Sequence, residues 1–227
     1  MIGYDWIVEN RGLVKLIYGI IIILICEIIV FKANKLFKLS LHEGIRYFRN
    51  AFFFFGMAFF FRYVIGWLTF SEYIPLEYYI LKDIFEFFLI MGGFFLLYSL
   101  LWKKFDIVKK HKSSLFNSKI AIFYLMTLIL VIIDHIWYDY YLLFASQIIL
   151  FMFTSAISYS NFIKSNRKNF LRLYFIAMFL GFIAWILNAL ASIYVGANNN
   201  VAIGIYLLNT IFFFLFLYGV IKVTREK

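Results

Sequence analysis

Seven stretches of this sequence are too apolar and too long to belong to a water-soluble fold. They run Leu16–Phe31, Ala51–Phe70, Tyr78–Trp102, Ile120–Ile133, Tyr140–Tyr159, Leu173–Val195 and Val201–Val223. Crossing the hydrocarbon of a bilayer takes roughly 20 residues of α-helix, and most of these runs approach that length. The shortest, Ile120–Ile133, is lengthened if Lys119 snorkels to the headgroups. Lipid offers no hydrogen-bond partner to an open backbone, so the spans are expected to be helical. Barrel strands would alternate in polarity, and Ala51–Phe61 does not.

The remainder of the chain leaves little room for anything else. Of the 227 residues, 65% are apolar and 15% charged, against about 45–50% and 25% in soluble proteins. The polar stretches Lys32–Asn50 and Lys103–Lys119 are too short for a kinase, nucleotide-binding or DNA-binding domain. The expected fold is all-α, a single seven-helix transmembrane domain over residues 1–227, located in the cell membrane. Met1–Arg11 carries Asp5 and Glu9 and no basic leader, so a cleaved signal peptide is not expected.

The net charge of +10 invites a nucleic-acid reading, but its distribution points to topology instead. Eighteen of the 22 basic residues fall in the loops after spans one, three and five and in the C-terminal tail. The intervening loops Ser71–Glu77, Asp134–Asp139 and Gly196–Asn200 have none, and Arg11 and Lys15 are the exceptions near the N-terminus. The positive-inside tendency then puts the N-terminus outside and the C-terminus in the cytoplasm. Membrane lipids are the expected partners, with anionic headgroups or a cytoplasmic protein at the basic loops, and no nucleic acid. Tyr78, Tyr79, Trp137, Tyr138, Tyr140 and Tyr141 read as interfacial anchors at the outer ends.

Polar residues inside the spans carry the functional signal. At a rise of about 1.5 Å per residue, Arg62, Glu86, Gln147, Asn188 and Asn209 come to one depth, about 12 Å below the outer boundary on that rise. An arginine in lipid costs about 2.5 kcal/mol or more on insertion scales, so Arg62 is expected to face inward and pair with Glu86. Asp83 lies one turn outward of Glu86, and Lys82 is expected to snorkel away. Asp134 and His135 mark the outer mouth, read as a hydrated cap or as a ligand or proton gateway. Glu27 is a candidate proton site, a partner for Arg49 or, being near the inner end of its span, a headgroup contact. The layer is either an ion-pair and amide network that orients helices or an outward-facing polar pocket.

Catalytic patterns are missing. There is no Gly-x-Ser-x-Gly, no His-Glu-x-x-His and no phosphate-binding glycine loop. His42 and His111 have no third ligand in view, and Cys26 sits in an apolar run. No enzyme activity, metal or cofactor is expected. In span count and N-terminal side the chain resembles microbial rhodopsins. That family anchors retinal on a helix-seven lysine, and Val201–Tyr218 has none. It also resembles the seven-helix sugar transporters in admitting a three-plus-one-plus-three parallel repeat. An offset of 123 residues pairs Arg49 with Arg172 and Phe52 with Phe175, but the prolines of that family are missing, Pro75 being in a loop. The function expected is a receptor-like or scaffolding membrane protein. It would bind a small polar ligand or membrane partner through the outer-half pocket. The alternative is a small-solute or proton-coupled transporter.

Overall fold

A computed structural model describes residues 10–69, 75–105, 115, 118–137, 140–164, 169–192 and 199–225. Outside them fall the densest part of the basic pattern, residues 106–112 with His111, and also Arg167, Lys168, Lys227, Asp5, Glu9 and Tyr138. The described chain is α-helical. Helix α1 is Arg11–Ser40 and α2 begins as Glu43–Phe59. A π-helical stretch, Phe60–Ile65, and a last α turn, Gly66–Thr69, complete α2. The others are α3 (Pro75–Phe105), α4 (Ser118–Trp137), α5 (Tyr141–Lys164), α6 (Asn169–Leu190) and α7 (Asn199–Arg225).

All seven helices are long and apolar enough to cross a membrane. Their outward faces agree with that. Leu24, Phe31, Leu125, Ile132 and Ile211 are each more than half exposed, while Glu86, Asp134 and Gln147 are buried at 1% or less. A soluble monomer rarely shows so continuous an apolar surface. The chain is a multi-pass integral membrane protein.

Neighbouring helices close a ring in the order α1, α2, α3, α5, α6, α7 and back to α1, with α4 outside against α3 and α5. Two thirds of the most apolar stretch of α3 is buried (67%), against 22% for α4. Glycines let α3 be shared by two neighbours. A Cβ on Gly92 would stand 2.6 Å from the Phe55 ring of α2, and one on Gly93 only 2.9 Å from Leu150 of α5. Small residues at crossings are how membrane helices approach, because packing rather than water release drives their association. The α1–α2 corner is a tight link. Leu41 closes α1 in the left-handed region (φ 51°), its N–H donating to the Phe37 carbonyl at 2.8 Å.

The centre of the bundle is aromatic. Phe52, almost fully buried, meets Phe55, Phe213 and Phe216 edge-on at centroid distances of 5.9, 6.1 and 5.1 Å. These rings separate a cavity near the N-terminal end of the bundle from a smaller one near the C-terminal end.

Candidate ligand cavity

Arg62 sits on the π-helical stretch of α2. A π turn carries one residue more than an α turn and is frequent at functional sites. Here the stretch lies against α1, where Gly19 provides the room. A Cβ on Gly19 would collide with the Tyr63 Cβ. Tyr18, one residue earlier, stacks on Tyr206 of α7 at 4.6 Å and meets Tyr63 and Phe59 edge-on at 5.4 and 5.8 Å. An aromatic wall thus joins α1, α2 and α7.

Behind that wall is a chamber of about 310 Å³, bordered by α1, α2, α3, α5, α6 and α7. Its apolar lining includes Phe55, Phe59, Leu89, Phe144, Phe151, Phe212 and Phe213. Asn188, Ser192 and Asn209 supply polar groups on the α6–α7 side. The Tyr18 hydroxyl faces Asn209, and the Asn188 amide already donates to the Ala184 carbonyl at 2.8 Å. A second cavity of about 790 Å³ lies toward the start of α1 and is bordered by Lys15, Trp67 and Lys82. Arg62, Tyr63, Phe85, Tyr140 and Tyr206 line both and form the junction. Chambers of this size and apolar character with a few polar groups are typical of small-molecule sites.

The charge in these walls has one sign. Lys15, Arg62 and Lys82 contribute cations, and no Asp or Glu lines either cavity among the described residues. The Arg62 guanidinium lies over the Phe85 ring at 4.3 Å and near those of Tyr140 and Tyr63, at 5.7 and 5.9 Å. A cationic ligand at about 4 Å from Arg62 would meet a repulsion of roughly 4 kcal/mol at an effective dielectric of 20. Aromatic rings return only about 0.5–2 kcal/mol to a cation. The sign of the wall therefore outweighs its aromatic content.

Glu86 is not the partner of Arg62. Its carboxylate is fully buried and pairs with Lys82 on its own helix at 3.6 Å. Lys82 does not snorkel. Its side chain is 4% exposed, its ammonium donates to the Asp134 carbonyl at 3.4 Å, and it lies 4.7 Å from the Tyr140 ring centre. An opposite-charge pair at i and i+4 is the favoured helical spacing, and that signal was present in the sequence. The pair is not richly solvated by protein. Neither Glu86 oxygen has a hydrogen-bond donor among the described residues.

The other polar residues divide among three places. Arg62, Asn188 and Asn209 face the chamber. Gln147 is buried against Gly93 of α3, its Oε1 3.2 Å from where a Cβ there would stand, and its amide has no hydrogen-bond partner among the described residues. Asp83 moves to the mouth, 2.7 Å from His135 Nδ1. Asp134 is buried instead of capping the surface. Its two oxygens accept the backbone N–H groups of Leu142 and Leu143 at 3.0 and 2.8 Å. It satisfies two of the open donors at the start of α5, where the helix dipole also favours an anion. Glu27 is on the exposed side of α1, and Arg49 binds Asn34 and Asn50 instead of it. Tyr140, expected as an interfacial anchor, lines both cavities. Lys82, Tyr18, Tyr63, Phe85, Trp185 and Tyr206 are site residues that sequence reasoning did not place.

No protein-family model and no solved structure matches the chain. Over 98 residues it is 38% identical to an uncharacterized protein of Archaeoglobus fulgidus, a match covering 38% of this chain. The match spans 42% of that relative's length.

Proposed function

We propose that this protein is a receptor-like membrane module that takes a small ligand in the chamber bordered by Arg62, Asn188 and Asn209. The observation that carries this reading is the aromatic chamber with a cation at its junction and amides on the far wall. The chain lies with its N-terminus outside and works without catalysis. Its ring of six helices with α4 outside supports a three-plus-one-plus-three arrangement. A ligand in the chamber touches Phe55, Phe212 and Phe213, which touch Phe52 and Phe216. Phe216 also lines the apolar cavity of about 200 Å³ at the opposite end. A shift of these interlocked rings would carry occupancy to a partner on the cytoplasmic side.

A second cavity on the opposite side also suits the transporter reading, and one experiment separates the two. In a variant retaining only Trp185, energy transfer from this chamber residue to dansyl amphiphiles reads occupancy. Transfer should be lost when Ala184, buried in the chamber wall, is enlarged to Phe. In proteoliposomes the bound probe should not be carried across. Flux abolished by Ala184→Phe would establish transport instead, and transfer insensitive to that change would remove the chamber as a binding site.

A further inference from the structure

We infer that the ligand of the chamber is an anionic amphiphile, whose carboxylate or phosphate lies at Arg62 while its apolar body points inward. The inference rests on the chamber being a binding site and adds the chemistry of what it binds. Three features on three scales agree. The walls of both cavities carry Lys15, Arg62 and Lys82 and, among the described residues, no carboxylate. Glu86 is turned to Lys82 on its own helix at 3.6 Å and is outside both linings.

The second feature is where the cation stands. Arg62 is at the junction of the two cavities, so a head held there leaves the rest of the molecule free to enter the inner chamber. That chamber is bounded mainly by phenyl rings, which suit an aromatic or alkyl body and give no counter-charge to a second ionised group. Its volume of about 310 Å³ is at the low end for small-molecule sites, so the body is compact or extends back into the larger cavity.

The third feature is the guanidinium itself. Its planar face lies on Phe85 at 4.3 Å. The edge of a guanidinium carries five N–H donors, and that edge matches carboxylate and phosphate geometry in a bidentate fashion. A neutral ligand would gain only the packing. A cationic one would face the Arg62 charge, Lys82 being paired with Glu86.

Two sources supply this chemistry, a soluble organic acid and an anionic membrane lipid, and the test distinguishes them. With tryptophan emission as donor, Trp185 in the chamber wall and Trp67 in that of the larger cavity, wild-type protein in neutral-lipid nanodiscs is titrated with dansyl-undecanoate, its methyl ester and the corresponding amine. The carboxylate should bind about tenfold or more tighter than the ester, as expected for a charged hydrogen bond, and the amine weakest. Arg62→Gln should erase the preference for carboxylate over ester, the carboxylate losing about tenfold or more relative to the ester. Displacement by phenylacetate would identify a soluble acid, and displacement by phosphatidylglycerol alone would identify a lipid. Equal binding of carboxylate and ester by the wild type overturns the inference while leaving the chamber a binding site. That arm needs no variant to fold. A preference that survives Arg62→Gln, or that neither competitor displaces, overturns it as well. Failure of every probe, whatever its charge, would remove both this inference and the chamber reading.

Discussion

Lys82 and Glu86 form a salt bridge between two buried side chains, and such a pair is costly to break from one side. Removing one partner of a buried pair typically destabilises by about 3–5 kcal/mol, whereas neutralising both is often nearly neutral. Lys82→Met should therefore lower resistance to denaturation in detergent by an amount of that order, and adding Glu86→Gln should restore most of it. If the double variant is as weak as the single, the loss came from packing and not from charge. A cycle between Arg62 and Glu86 should give coupling no larger than about 0.5 kcal/mol, the additivity expected of residues that do not touch. What the sequence made legible at this scale was part of the cavity wall. Arg62, Asn188 and Asn209 line one chamber. What it hid was azimuth, the direction in which each side chain leaves its helix. Glu86 and Gln147, expected at the same depth, point into helix contacts instead. Asp134 was read as surface because it follows an apolar run. Its actual role depends on α5 starting a few residues later and turning two N–H groups toward it.

At the scale of elements, the seven spans were visible from hydropathy because lipid demands one simple property of every outward face. The wide turn at Phe60–Ile65 was not visible. No proline or glycine marks its interior, and what accommodates it is a glycine on another helix, Gly19. This contact is directly testable. Gly19→Ala places a methyl against the Tyr63 Cβ, which backbone holds on one side and the edge-on Tyr18 ring on the other. Overpacking of that kind typically costs about 1–3 kcal/mol. Gly204→Ala is the control, since nothing stands within 4 Å of a Cβ there and alanine is the better helix former. Thermal unfolding in micelles should show a drop for Gly19→Ala and none for Gly204→Ala. Equal behaviour of the two would mean that α1 does not press on the wide turn as described. Trp185 energy transfer should weaken in Gly19→Ala too, because Tyr63 lines both cavities.

The orientation of the whole molecule decides which compartment the chamber serves, and the reading of it rests on charge alone. Seven crossings put the start of α1 and the end of α7 at opposite ends. Lys32, Lys35 and Lys38 on α1, Lys164 on α5 and Arg172 on α6 are exposed, and all belong to the end opposite the chamber. Each basic residue near an anionic cytoplasmic leaflet contributes about 1 kcal/mol of attraction, so even a few outweigh Lys15 at the other end. Cysteine labelling tests this cleanly, because Cys26 is buried and makes a quiet background. On intact cells an impermeant maleimide should modify Lys15→Cys, at the cavity wall near the start of α1, and spare Lys38→Cys and Lys164→Cys until the membrane is permeabilised. The reverse pattern would turn the chamber toward the cytoplasm. The binding chemistry at Arg62 would be unchanged, but an external ligand could no longer be its source, and the smaller apolar cavity near Phe216 would become the outward one.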